Sequence, residues 1–177
     1  TITLLAALAR MDGLSILKAV NTSKGIFRYL ETLGKLLAIR WRENPDVYIL
    51  GLRGHDIFWA VRLITMGRPL IFDHMMSPYD SMVNERRLCR NGGLVERFAY
   101  HFENSLLHHA DLILTDTPLH KDYFSRLFHL PPAKIAAIPV STDEELFRRG
   151  RVNTGSKEKP NIFEVFFYGS FLPLHGI

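Results

Sequence analysis

The chain has 177 residues, 47% hydrophobic and 23% charged, the balance of a folded protein with material for one domain of about 150 residues and part of another. No apolar run approaches the roughly 18 residues that a membrane-spanning helix requires, since the stretch Ile2 to Ala9 is broken by Thr3 and ended by Arg10. Formal charge is +4, and its excess lies in residues 1–42, where seven Lys or Arg stand against Asp12 and Glu31. Cys89 is the single cysteine, which excludes an internal disulfide and a cysteine-based zinc site; a partly buried thiol and a cytoplasmic setting are expected. The chain opens on Thr1-Ile2, its first methionine is Met11, and no basic, apolar, small-residue order reads as a secretory signal. Both ends are expected to be cut from a longer protein.

The first periodic segment covers residues 24–42. At about 100° per residue, Lys24, Arg28, Lys35 and Arg42 share a narrow arc, Ile26, Leu30, Leu33 and Leu37 fall opposite, and Ser23 stands where an N-cap belongs. Such a basic amphipathic helix either packs on a core with a solvated face or lies against an anionic membrane as a peripheral contact. Nucleic acid is not expected as a partner, because no stacking aromatics interleave with the cations and no nucleic-acid-binding motif follows.

Asn44-Pro45-Asp46 leads into a strand at Val47 to Leu50, residues 56–66 repeat apolar side chains at helical spacing, and Arg68-Pro69 leads into a strand at Leu70 to Phe72. The alternation continues with a helix over Gly93 to His109, a strand over Leu112 to Thr115, a helix over Pro118 to Phe128 and a strand over Lys134 to Ile138. Asp111 and Thr117 are placed for turns and caps. This order predicts an α/β domain over residues 1–147, a doubly wound parallel sheet. Residues 148–161, with Gly150, Gly155, Ser156 and Pro160 among charges, read as a linker. The strand Phe163 to Tyr168 reads as the start of a second domain over residues 162–177.

Ligands of such sheets bind beyond the carboxyl ends of the strands. There the sequence places Arg53-Gly54-His55-Asp56 after the first strand, Asp73-His74 after the second, and Ser77-Pro78-Tyr79-Asp80 in the loop beyond. Carboxylates accept from sugar hydroxyls, and imidazole moves protons near neutral pH. Asp56 and Asp80 have competing roles, capping a helix and ordering a turn. His108-His109 closes a predicted helix, where a cation complements the dipole, and no metal-ligand spacing follows, so no metal is expected. In Tyr168-Gly169-Ser170-Phe171-Leu172-Pro173-Leu174-His175-Gly176-Ile177 a strand runs into a loop that could offer backbone N–H groups to an anion. Turn chemistry explains the same glycines equally well.

Several segments in order resemble the family 4 glycosyltransferases of the GT-B fold. Asn44-Pro45-Asp46-Val47-Tyr48-Ile49-Leu50 looks like the family's Pro-Asp-Val strand, and Ala110-Asp111-Leu112-Ile113-Leu114-Thr115-Asp116-Thr117 like its Ala-Asp strand entering a helix. Ile138-Pro139-Val140-Ser141-Thr142-Asp143-Glu144-Glu145-Leu146-Phe147 resembles the segment before the interdomain linker, with Ser141 in place of glycine. The closing segment resembles the nucleotide-diphosphate loop, with Ser170 and His175 where the family carries Arg and Lys.

The resemblance implies a Rossmann-like half of a GT-B fold that lacks its first strand. It also implies retaining transfer of a sugar from a nucleotide-sugar donor to an acceptor held by the N-terminal domain, with no metal or other cofactor. By the same resemblance Asp73 or His74 lies near the reacting sugar, and Gly169, Ser170, His175 and Gly176 hold the donor diphosphate; Arg53, His55, Ser77, Tyr79 and Asp80 are expected to contact substrate from their place on the strand-end rim. The segment alone is expected to be inactive. A sugar-nucleotide epimerase of the same fold and a non-catalytic α/β binding module are the alternatives.

Overall fold

The computed structural model describes residues 2–51, 53–86, 88 and 92–140. Cys89, the linker and the second-domain strand lie outside the described residues. Helix α1 spans Ile2–Ala9 and α2 spans Phe27–Arg42; the strands are β1 (Tyr48–Leu50), β2 (Leu70–Asp73), β3 (Leu112–Thr115) and β4 (Ile135–Ala137). Between them lie a 3-10 turn (Gly54–Ile57), α3 (Phe58–Ile64), a helical turn α4 (Pro78–Asp80), a π-helical turn (Ser81–Glu85), α5 (Leu94–His109) and α6 (Pro118–Leu127).

The strands form one four-stranded sheet in the order β1-β2-β3-β4, and every pair is parallel. The fold is the expected α/β, Rossmann-like half, and the described strands step across it in one direction. Parallel central strands are covered on both faces, so they carry apolar residues without alternation. Leu70 and Phe72 of β2 and Ile113 and Leu114 of β3 are accordingly buried, whereas Ile49 of the edge strand β1 is exposed. Phe58, Leu106, Leu107, Phe124 and Phe128 complete the core from α3, α5, α6 and the residue after α6.

Asp111 performs the turn function expected of it. Its backbone N–H donates to the Leu70 carbonyl at 2.9 Å, and its Oδ2 accepts from the Leu70 N–H at 2.8 Å and from Arg62 Nη1 at 2.9 Å. One carboxylate thus ties the start of β2 to β3 and α3. An orphaned buried N–H costs about 1–3 kcal/mol, which is the penalty Asp111 removes at Leu70. Thr117 caps α6 as expected: its Oγ1 accepts from the His120 N–H at 3.1 Å, with Pro118 at the first helical position.

Three local expectations are corrected. Ser23 does not cap α2; Ile26 occupies that position without a side-chain bond, and the Ser23 N–H donates instead to Glu31 Oε2 at 2.8 Å. Lys35 also donates to Glu31 at 2.7 Å, and these contacts hold the carboxyl well below its usual range. The predicted helix over 56–66 begins as a 3-10 turn and is α-helical only over Phe58–Ile64. Asp56 supplies no cap there; its Oδ2 accepts from the Tyr29 hydroxyl at 2.7 Å, linking α2 to the turn after β1. On α2 itself Leu33 and Leu36 pack on the core, but Ile26, Leu30 and Leu37 are exposed together with Phe27 and Trp41, the last 90% exposed.

Candidate functional site

The carboxyl ends of β1 and β2 carry the polar residues that the sequence singled out. After β1 the chain turns sharply: Arg53 adopts the left-handed conformation at φ 66°, uncommon for a residue with a Cβ. A Cβ on Gly54 would come within 2.4 Å of the Leu50 side chain. The tight approach folds His55 inward, where it is 8% exposed. Its ring meets Phe72 edge-on at 4.9 Å and His74 at 5.3 Å.

His74 follows β2 directly. Its N–H donates to the Leu114 carbonyl at 2.9 Å, extending the parallel ladder by one residue. The side chain is fully buried, with the Phe124 ring at 4.8 Å. Asp73, the last residue of β2, is 3% exposed.

The third member of the cluster comes from α5. Glu103 is 1% exposed, and its Oε1 lies 2.8 Å from His74 Nε2. The two atoms are close but out of line for a hydrogen bond, so both remain among the buried polar atoms without a hydrogen-bond partner, as do His55 Nε2 and His74 Nδ1. Glu103 Oε2 accepts from the Tyr79 N–H at 2.7 Å. Ser77 Oγ in turn accepts from the Asp80 N–H at 3.0 Å, which starts α4. The loop after β2 is therefore tied to α5 through one buried side chain.

Electrostatics follow from the burial. Loss of water pushes the His55 imidazole down to about 4 against the opposing pull of Asp56, and the His74 imidazole down to about 3, with His55 adding to the effect. Burial pushes Glu103 up to about 7, although Ser77 and the Tyr79 N–H work to lower it. At neutral pH both rings are neutral, and Glu103 holds a proton far more readily than an exposed carboxyl does. The ligand atoms of His55, His74 and Glu103 all lie within 4.8 Å of one another, a set of two imidazoles and one carboxylate that divalent zinc also uses.

The structure thus brings His55, His74, Ser77 and Tyr79 together around Glu103, with Asp73 adjoining in sequence. It places two other candidates at the margin. Asp80, the last residue of α4, accepts from the Tyr123 hydroxyl at 2.9 Å, while its N–H donates to the Ser77 cap. Arg53 is exposed and lines a separate cavity of about 730 Å³ beside β1, with Arg28, Asp56, Val47 and Ile49. None of His55, Asp73 or His74 lines that cavity. Gly169, Ser170, His175 and Gly176 lie outside the described residues.

Sequence reasoning missed Glu103. Its signal was present: Tyr100, Glu103, Leu106 and Leu107 share one stripe of α5, and a charged residue within an apolar stripe is buried only with partners.

No curated protein matches the chain at a significant level. Residues 6–141 match the model of the glycosyl transferase 4-like domain, so the chain belongs to that family of glycosyltransferase domains.

Proposed function

We propose that this domain is the acceptor-binding half of a retaining glycosyltransferase that moves a sugar from a nucleotide-sugar donor to an acceptor beside the carboxyl ends of β1 and β2. The observation that carries the reading is the convergence of His55, His74 and Glu103 on one buried point at that rim, with Asp73 adjacent. Imidazole and carboxyl groups there would orient hydroxyls and stabilise developing charge. Residues 148–161 would form the linker, and Gly169, Ser170, His175 and Gly176 would receive the donor diphosphate in a second domain beginning near 162. Residues 1–177 alone would then lack transfer activity, and the reaction would need no metal or other cofactor. The protein carrying both domains, incubated with UDP-, GDP- and ADP-hexoses and an extract of cellular acceptors, should yield a glycoside of unchanged anomeric configuration by NMR. An inverted product would overturn the retaining mechanism, and the absence of both transfer and donor hydrolysis in folded protein would overturn the enzyme reading.

The acceptor side is proposed to meet an anionic membrane from the cytoplasmic side through α2. Among the described residues no helix is long and apolar enough to cross a membrane. Helix α2, however, exposes Phe27, Leu30, Leu37 and Trp41 beside Arg28, Arg42 and Lys35, the last paired with Glu31, with Lys24 just before the helix, the pattern of a helix that lies in a lipid interface. Each cation near such a surface is worth about 1 kcal/mol, and the attraction decays over about 8 Å at physiological salt. Co-sedimentation with phosphatidylserine-containing vesicles should therefore fall as salt rises and vanish when all four charges are reversed. Equal binding to neutral phosphatidylcholine vesicles would sink the membrane role.

A further inference from the structure

A carboxyl group sealed from water persists only where neighbours satisfy it or a proton neutralises it. The two oxygens of Glu103 are treated differently. Oε2 is satisfied by the Tyr79 N–H at 2.7 Å, and the nearby Ser77 hydroxyl favours the charged form of the carboxyl. Oε1 faces His74 Nε2 at 2.8 Å, within the distance of a shared proton. His55 reaches the same space from the turn after β1, and Asp80 on α4 adds a field that raises Glu103 further. Helix α6 and the residue after it present the Phe124 and Phe128 rings to His74. Thus no described cation from these elements balances a Glu103 carboxylate, and the His74 ring is the base nearest to its proton.

We propose that Glu103 is a positioning residue for His74: it shares one proton with Nε2 and so fixes the ring's tautomer, while its other oxygen holds the Ser77–Asp80 loop in place. Loop and imidazole then form one unit at the rim of the sheet. This deepens the function proposed above and rests on it for its catalytic consequence. The proton count closes. With the proton on Oε1, Glu103 is neutral and donates to the Nε2 lone pair, and His74 keeps its own hydrogen on Nδ1. Transfer of that proton breaks the O–H bond, forms the Nε2–H bond and leaves carboxylate and imidazolium, two charges in a buried site, which burial disfavours. The neutral arrangement is the resting form. A divalent cation is the competing occupant, since His55, His74 and Glu103 place their ligand atoms within 4.8 Å of one another.

The test is NMR on the full chain labelled with 15N-histidine and 13C-glutamate, followed from pH 5 to 9. The Glu103 carboxyl should titrate near pH 7, and the His74 Nε2 signal should move with the same midpoint. Glu103→Gln should abolish the step at His74, since the amide remains a donor but does not titrate. In the protein with its donor domain, Glu103→Gln should lower kcat about 10²-fold, the cost of a small misplacement at a reacting centre, with KM little changed and the pH dependence near 7 removed.

A His74 step that persists in Glu103→Gln would overturn the proposal, as would a Glu103 carboxyl that titrates below pH 5. Uptake of one equivalent of Zn²⁺ or Co²⁺ that disappears in Glu103→Gln would overturn it in favour of a metal site. If Glu103→Gln fails to fold, the Glu103 titration in the unaltered chain decides. The NMR signature together with absent transfer would refute the enzyme reading while leaving the proton-sharing pair in place.

Discussion

Acidification from pH 6.5 to 4.5 is expected to cost this domain about 3 kcal/mol of stability through one buried cluster. Burial holds His55 at about 4 and His74 at about 3, whereas an imidazole in the unfolded chain titrates near about 6.5. Below 6.5 the unfolded state therefore binds two protons that the folded state refuses, and stability falls with pH. Glu103 works in the opposite sense. Held up at about 7 against an ordinary value of 4.5, it keeps a proton in the folded state that the unfolded chain has lost, which favours folding more strongly as pH falls towards 4.5.

The balance between pH 4.5 and 6.5 is one proton in favour of the unfolded state, about 1.4 kcal/mol per pH unit. Above 6.5 only Glu103 remains, and its contribution declines until pH 7 is passed. Below 4.5 Glu103 drops out and the acid loss steepens. Urea unfolding at half-unit pH steps measures the curve. His55→Gln removes one of the two refusing groups, so its stability should be nearly flat from 4.5 to 6.5; an unchanged slope in that variant would refute this origin of the acid sensitivity.

The fold was legible because its signals are local and redundant. Pro45 and Pro69 precede strands, Asp111 and Thr117 sit at element ends, and the apolar runs at Leu70 to Phe72 and Leu112 to Thr115 have the length of buried parallel strands. Boundaries set by tertiary contact were not legible. Ser23 looks like a cap, but α2 begins only at Phe27 with Ile26 in the cap position, and Asp56 looks like a cap, but Tyr29 takes its carboxylate. The apolar residues of α2 read as one core-facing stripe, yet the helix rotates so that Leu33 and Leu36 pack inward while Leu30, Leu37 and Trp41 face out.

The candidate site was half legible for a related reason. Residues at strand ends announce themselves by following an apolar run, which is how His55, Asp73 and His74 stood out. Glu103 lies more than twenty residues downstream, in mid-helix, and only the crossover from β2 to β3 carries it back to the end of β2. Burial was also hidden: nothing in the order Asp73-His74 tells that Phe124 and Phe128 close over the ring. That burial changes what a substitution at the rim will report.

In the protein carrying both domains, Asp73→Ala or His74→Ala is expected to lower turnover by about 10²–10⁴, the usual cost of removing one proton-transferring or charge-stabilising group. A stability loss will accompany it at His74, because truncating a fully buried ring among aromatic neighbours leaves a cavity. The two effects separate when sugar transfer is expressed per folded molecule, with the folded fraction taken from a thermal melt at the assay temperature. A side chain that only supports the Ser77–Asp80 loop would lower Tm and leave turnover per folded molecule near its original value. His74→Gln sharpens the contrast, since an amide fills more of the space and can hydrogen-bond Glu103 but cannot exchange a proton near neutral pH. If His74→Gln and Asp73→Ala both keep near-normal transfer, the ends of β1 and β2 are a structural hub, and the reaction centre must be sought elsewhere in the protein.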